Sequence, residues 1–336
     1  MRFSSFTLGS AVVFLAAALP YGVGAHHSRA AFDTTVEVLL DGTVADVTWA
    51  NPHTYFKVET LDGAGKTVLQ EVEVGPLSTL QPLGLTRATI VPGERVTVRA
   101  NPNRRGPEHL VVGLEVTKSD GQVFPLHVVR SGRPLPPAAA AAGLAGRWVP
   151  ANDGFMGIVR ESRNWPLTDA GRAGIADGAG DSQGGCTAWP APLLMALPML
   201  RTIAVSGDRV SLAFDWMGAS RTVRLDLPEH PRGVEPTLQG HSIGRWEGDA
   251  LVIDTVGFLP HEEGAGFGVP SGEGKRLVER LALTADRTRL DYEFTVQDSF
   301  SLTEPVTYRM QWVHRPDLEP TGDACDETIA TRFLRE

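Results

Sequence analysis

The sequence predicts an all-β protein, an OB-like barrel followed by a larger antiparallel meander, and three observations carry that expectation. The chain places 36 Gly and 24 Pro of its 336 residues among short β-branched runs, a turn-rich β composition. Its first half shows five such runs with one short helical interruption. Its second half shows eight more, separated mostly by turn signals of a few residues. Hydrophobic residues at 42% and charged residues at 21% are ordinary for a chain that buries a core.

The elements follow in order. Residues 1–25 read as a secretory signal peptide: Arg2 supplies the charged start, "FTLGSAVVFLAAALP" the apolar run, and "VGA" the small residues before a cut after Ala25. The apolar run is short and no stop-transfer charges follow it, so no membrane insertion is expected after signal cleavage. The product is expected to be periplasmic or secreted.

Residues 26–129 form the first expected domain. "VEVLLDGTVADVTWA" is a long run broken near Asp41-Gly42, "HTYFKVETL" alternates, "TVLQEVEV" follows a turn at Asp62-Gly63, and "ERVTVRA" and "HLVVGLEVTKS" complete the set. "GPLSTLQPLG", opened by Pro76 and broken by Pro82, is the one short helix, between the third and fourth strands. Five strands in that order make an OB-like barrel.

Residues 130–146, "RSGRPLPPAAAAAGLAG", form a Pro/Ala-rich linker, and residues 147–336 the second domain. After a Gly-rich stretch to about Ala188, the strands "RTIAV", "RVSLAFDW", "SRTVRLDL", "HSIGRW", "ALVIDTVGF", "KRLVERLAL", "TRLDYEFTV" and "VTYRMQWVH" succeed one another. That spacing predicts an antiparallel meander curled into a lipocalin-like barrel or a bent sheet. "RWEGD" reads as a tight hairpin turn around Gly248. The Gly-rich loop from Leu259 to Gly274 is expected to be a lid over the barrel mouth.

The formal net charge is −9, and removal of the leader with its Arg2 makes the chain more acidic still. No nucleic acid partner is expected, and the basic "NPNRRGP" loop is one small patch. The two cysteines, Cys186 and Cys325, are expected to pair as a disulfide in an oxidising compartment. Oligomeric state is not legible.

"AHHSRAAFD", "GTV", "VTWANPH", "GPLSTLQPLG" and "VPGERVTV" resemble an uncharacterised family of small exported bacterial proteins with a mature His-His-Ser start. "GHSIGRWEGDALVIDTVGF" with the later "CDE" resembles a second uncharacterised, β-rich exported domain. These resemblances imply location and architecture and carry no mechanism.

Two constellations carry chemistry. If cleavage follows Ala25, His26 offers an α-amine and an imidazole from one residue, and a second histidine completes a three-nitrogen set suited to Cu(II). His53 in "TWANPHTYF" is the natural partner, because it lies in the loop between strands one and two, a binding loop of OB-folds. It is expected on the exposed face with Tyr55 and Lys57, opposite Thr54, Phe56 and Val58. His27 is a substitute for His26, and His109 a more distant option.

In the second domain, Glu279 interrupts an inward apolar row of Leu277, Leu281 and Leu283, while Tyr308 and His314 lie in the inward row of the last strand. With Asp254, whose direction alternation leaves open, these would make a polar cluster in an apolar cavity. The competing expectation pairs Glu279 with a neighbouring arginine such as Arg245 or Arg280.

Three functions therefore stand as expectations. The first is an exported protein whose N-terminal domain binds a metal ion, copper favoured, through the mature N-terminal histidine, with a second domain that binds a small molecule or partner. The second is an acid/base hydrolase or isomerase using Glu279 and His314 on a small apolar substrate. The third is a structural envelope protein without a site. The chain has no nucleophile elbow, His-Glu-x-x-His helix, phosphate loop or dinucleotide fingerprint.

Overall fold

The computed structural model describes residues 31–104, 109–127, 139–151, 154–176 and 185–331. The expected leader, His26 and His27, and the first part of the Pro/Ala linker lie outside the described residues. Among the described residues no helix is long and apolar enough to cross a membrane.

The first barrel consists of β1 (Val38–Thr48), β2 (Thr54–Leu61), β3 (Thr67–Val74), β4 (Arg95–Pro102) and β5 (Leu110–Lys118), with α1 (Leu77–Leu80) between β3 and β4. β1 pairs antiparallel with β2 and β4, β2 with β3, and β4 with β5, while β3 closes onto β5 in parallel. This is the OB-fold order. The inward set on β2 is Thr54, Phe56 and Val58, which meets Val72, Val74, Val96, Val98 and Val116 in one core. A short β6 (Val123–Pro125) extends the sheet past β5, too brief to stand out in the sequence.

One expected feature is corrected. β1 is not broken at Asp41-Gly42 but runs through it, because a Cβ at Gly42 would lie 2.1 Å from the Glu59 carbonyl oxygen. The glycine marks a close crossing of two strands, with a bulge following between Val44 and Asp46, and no turn.

The second half closes into a larger barrel of β7 (Gly146–Pro150), β8 (Arg201–Ser206), β9 (Arg209–Phe214), β10 (Ser220–Arg224), β11 (His241–Glu247), β12 (Ala250–Val256), β15 (Arg276–Leu283), β16 (Arg289–Gln297) and β17 (Val306–His314). The meander is interrupted once: β10 and β11 pair in parallel, because residues 225–240 cross over between them. β11 and β12 turn tightly at Gly248, whose φ is 60°. Leu290, Tyr292, Phe294 and Val296 point inward as alternation predicts, among Leu277, Leu281, Tyr308, Met310 and Trp312.

The Gly-rich stretch before β8 holds α2 (Gly154–Glu161), α3 (Asp169–Ala176) and α4 (Leu193–Ala196). Gly157 lets α2 lie on the last strand, since a Cβ there would stand 2.0 Å from the Tyr308 hydroxyl. The expected lid from Leu259 to Gly274 is mostly a hairpin of β13 (His261–Gly266) and β14 (Val269–Ser271), with Glu263, Ala265 and Val269 buried. Its alternating small and apolar residues pack down, which a solvated loop would not do.

Lys275 anchors this hairpin. Its Nζ donates to the carbonyls of Ala191 (2.9 Å) and Gly264 (2.7 Å) and stands 3.7 Å from the centre of the Phe258 ring. Burial pushes its pKa from 10.5 down to about 7, against the attraction of Asp298. With the folded pKa below the unfolded one, burial of the charge opposes folding fully below about pH 7, and this opposition fades as pH rises toward 10.5. Stability relative to Lys275→Met is therefore expected to shift in favour of the wild type between pH 6 and pH 10. Guanidinium midpoints at both pH values check this, and a difference independent of pH contradicts it.

The C-terminal tail returns to the first barrel. Asn51 donates from its backbone to Ala324 O (3.1 Å) and from Nδ2 to Asp323 O (2.7 Å), and accepts from Asp326 N (2.9 Å). Arg87 reaches Asp323 and lies over Trp49. The tail is tied to the second half by the Cys186–Cys325 disulfide, as the cysteine pair predicts.

Candidate functional site

His53 follows a cis Asn51-Pro52 bond in the loop that enters β2, and this loop is held on its other side by the tail. The strand register then sets its surroundings. Tyr55 lies opposite Glu73, so the two share the outer face of the barrel with His53. That face is covered: Phe32, Tyr55, Leu110 and Val112 form a small buried cluster, against which Ala31 and Ile329 pack. The expectation of an exposed strand face is thus corrected at this end, because chain from both ends of the described sequence lies over it.

Glu73 is fully buried, and its Oε2 accepts from the Tyr55 hydroxyl at 2.9 Å. Its Oε1 stands 3.4 Å from His53 Nδ1, and neither atom has a hydrogen-bond partner among the described residues. No Lys or Arg pairs with Glu73 among them either. A carboxylate in this setting favours a proton on the facing imidazole nitrogen, which leaves Nε2 as the free lone pair. The His53 side chain is 26% exposed, so it is open to solvent while its partner is closed to it. Asn51 Oδ1, in the same loop, is another buried acceptor without a partner among the described residues.

Glu73 was not singled out from the sequence. The signal was there: "TVLQEVEV" puts an acid among apolar neighbours, and a hairpin from Asp62-Gly63 sets it opposite Tyr55.

The second-barrel candidates are not brought together. Glu279 is buried and receives two hydrogen bonds from Arg221 (2.9 and 2.6 Å) and one from Tyr292 (2.8 Å). Its arginine is therefore Arg221, from β10, and not Arg245 or Arg280, which both pair with Glu247 on the outside. Tyr308 lies one strand beyond, across Phe294, with its hydroxyl on the Gly154 carbonyl. His314 is six residues further along β17, roughly 20 Å at strand rise, where it packs on Trp148 and bonds Ala139 O at 2.9 Å. Asp254 points outward to Arg276, at 2.9 and 2.6 Å. Alternation on β12 could not settle its direction because both faces are apolar.

Among the described residues no group of three or more His, Cys, Asp or Glu is gathered for a metal. His53 is a single histidine beside a buried carboxylate, and His109 lies apart, its carbonyl bonded to Glu71 N.

Residues 15–112 match a family of unknown function, DUF6152. The match takes in β1 to β4, the Asn-Pro-His loop and Glu73, and ends inside β5. The second barrel lies outside the matched residues. No curated protein matches the chain.

Proposed function

We propose that this is an exported protein whose N-terminal barrel binds a copper ion through His53 and the mature N-terminal histidine. The observation that carries this reading is the His53–Glu73 pair. A metal-bound histidine commonly turns its second ring nitrogen toward a carboxylate, which fixes the tautomer and raises ligand basicity. Glu73 stands in that position and is itself held by Tyr55.

Chain length supports the second ligand. Ala31 packs on the cluster that contains Tyr55, and the five residues back to His26 span up to about 17 Å extended. With a cut after Ala25, His26 would bring its α-amine and imidazole to the His53 Nε2, a three-nitrogen set of the tetragonal kind that Cu(II) prefers. His27 would serve in its place with imidazole alone.

The test is a competitive Cu(II) titration of the exported wild type against His26→Ala and His53→Ala, with N-terminal sequencing to place the cut. Both variants are expected to bind more weakly, and unchanged affinity and stoichiometry would sink the reading. Glu73→Gln keeps the side-chain shape and the Tyr55 contact, and is expected to lower copper affinity about 10- to 100-fold with the fold intact. A Glu73→Gln protein that binds copper like the wild type would leave the carboxylate with no part in the site.

A further inference from the structure

A second pair of imidazoles lies on the other barrel. His230 is carried by the crossover between β10 and β11, and His241 opens β11. Their Nδ1 atoms face each other at 3.0 Å, with the ring planes at 68°. Both side chains are only partly buried.

Behind His230 stands Asp254, whose Oδ2 is 3.8 Å from His230 Nε2 and which Arg276 holds with two hydrogen bonds. His230 Nε2 is buried and has no hydrogen-bond partner among the described residues. A carboxylate on that side favours the tautomer with the proton on Nε2, which makes His230 Nδ1 the acceptor of a hydrogen bond from His241 Nδ1. Two nitrogens bound to one tetrahedral ion at 2.0–2.1 Å stand about 3.3 Å apart. A shift of the His241 proton from Nδ1 to Nε2, a turn of the rings and a widening of a few tenths of an ångström convert the hydrogen bond into that arrangement.

We propose that His230 and His241 form a two-nitrogen site for a zinc-class divalent ion, with Asp254 orienting His230 and water filling the remaining positions. Imidazole ligands suit such ions, and a site with open positions can take a further ligand atom. This site is separate from the His53 centre and does not depend on it.

The experiment uses the full chain with His26→Ala, His27→Ala and His53→Ala, so that the first barrel contributes no imidazole from the proposed centre. Zn2+ alone is titrated by calorimetry, and the imidazole nitrogens are followed by long-range 1H–15N correlation. One Zn2+ per chain is expected, with the His230 and His241 Nδ1 resonances shifting together. Adding His241→Gln is expected to weaken binding at least tenfold, and adding Asp254→Asn about tenfold. Absence of Zn2+ binding in the triple variant, or binding that leaves both Nδ1 resonances unmoved, overturns the proposal. The spectra require no variant in the second barrel, so a folding defect in His241→Gln does not obscure the result. Loss of copper binding to His53 variants would bear on the first reading only.

Discussion

Glu279→Ala is expected to destabilise the second barrel by about 3–5 kcal/mol, the usual cost of leaving a buried charge without its partner. Arg221 is 3% exposed and directs both terminal nitrogens at this carboxylate. Its remaining bonds, to Ser242 Oγ and Thr255 Oγ1 at 3.3 and 3.1 Å, are neutral and do not replace a counter-charge. Tyr292 would also lose the acceptor for its hydroxyl. Guanidinium denaturation followed by tryptophan fluorescence measures the effect. A joint Arg221→Met and Glu279→Leu change is expected to recover most of the loss, since the site then becomes apolar. A loss under about 1 kcal/mol for Glu279→Ala would contradict this account of the pair.

The second large effect belongs to the disulfide. Cys186 and Cys325 are separated by 139 residues, and a closed loop of that order stabilises a fold by roughly 4–5 kcal/mol through the entropy it removes from the unfolded chain. Cys325→Ser is expected to cost that amount, and reductant should reproduce it in the wild type. The variant carries a second consequence for function. Cys325 forms a bridge with Asn51, two residues before His53, so a freed tail removes the support on one side of that loop. Cu(II) affinity is therefore expected to fall in Cys325→Ser while His53 itself is untouched. Equal midpoints for the oxidised wild type and the variant would contradict the stabilising role.

Much of the architecture was legible because it rests on local signals. Five strands with a helix after the third are enough to specify the OB order, and the inward rows of β15, β16 and β17 follow from strict alternation. What escaped notice was tertiary. Gly42 looks like a turn residue, yet its small size serves a crossing of β1 with β2 that only the closed barrel creates. The described residues of the stretch before β8 carry three helices of eight, eight and four residues, too short to stand out by periodicity.

The candidate sites divide in the same way. His53 was visible as a loop histidine, but the meaning of its position depends on Glu73, which reaches it through pairing between two strands. The enzyme reading placed Glu279 and His314 on inward rows, but a row says nothing of height along the barrel, and His314 stands six positions along β17 from Tyr308. Arg221 was hidden because β10 joins its neighbour in parallel, through a crossover that the meander pattern does not announce.

The central claim is that His53, oriented by Glu73, supplies a nitrogen to a copper ion on the first barrel. Electron paramagnetic resonance of the Cu(II)-loaded exported protein tests it most directly, through the nitrogen couplings on the copper signal. Three coupled nitrogens are expected in the wild type and two in His53→Ala. A wild-type signal that keeps the same couplings when His53 is replaced would contradict the account.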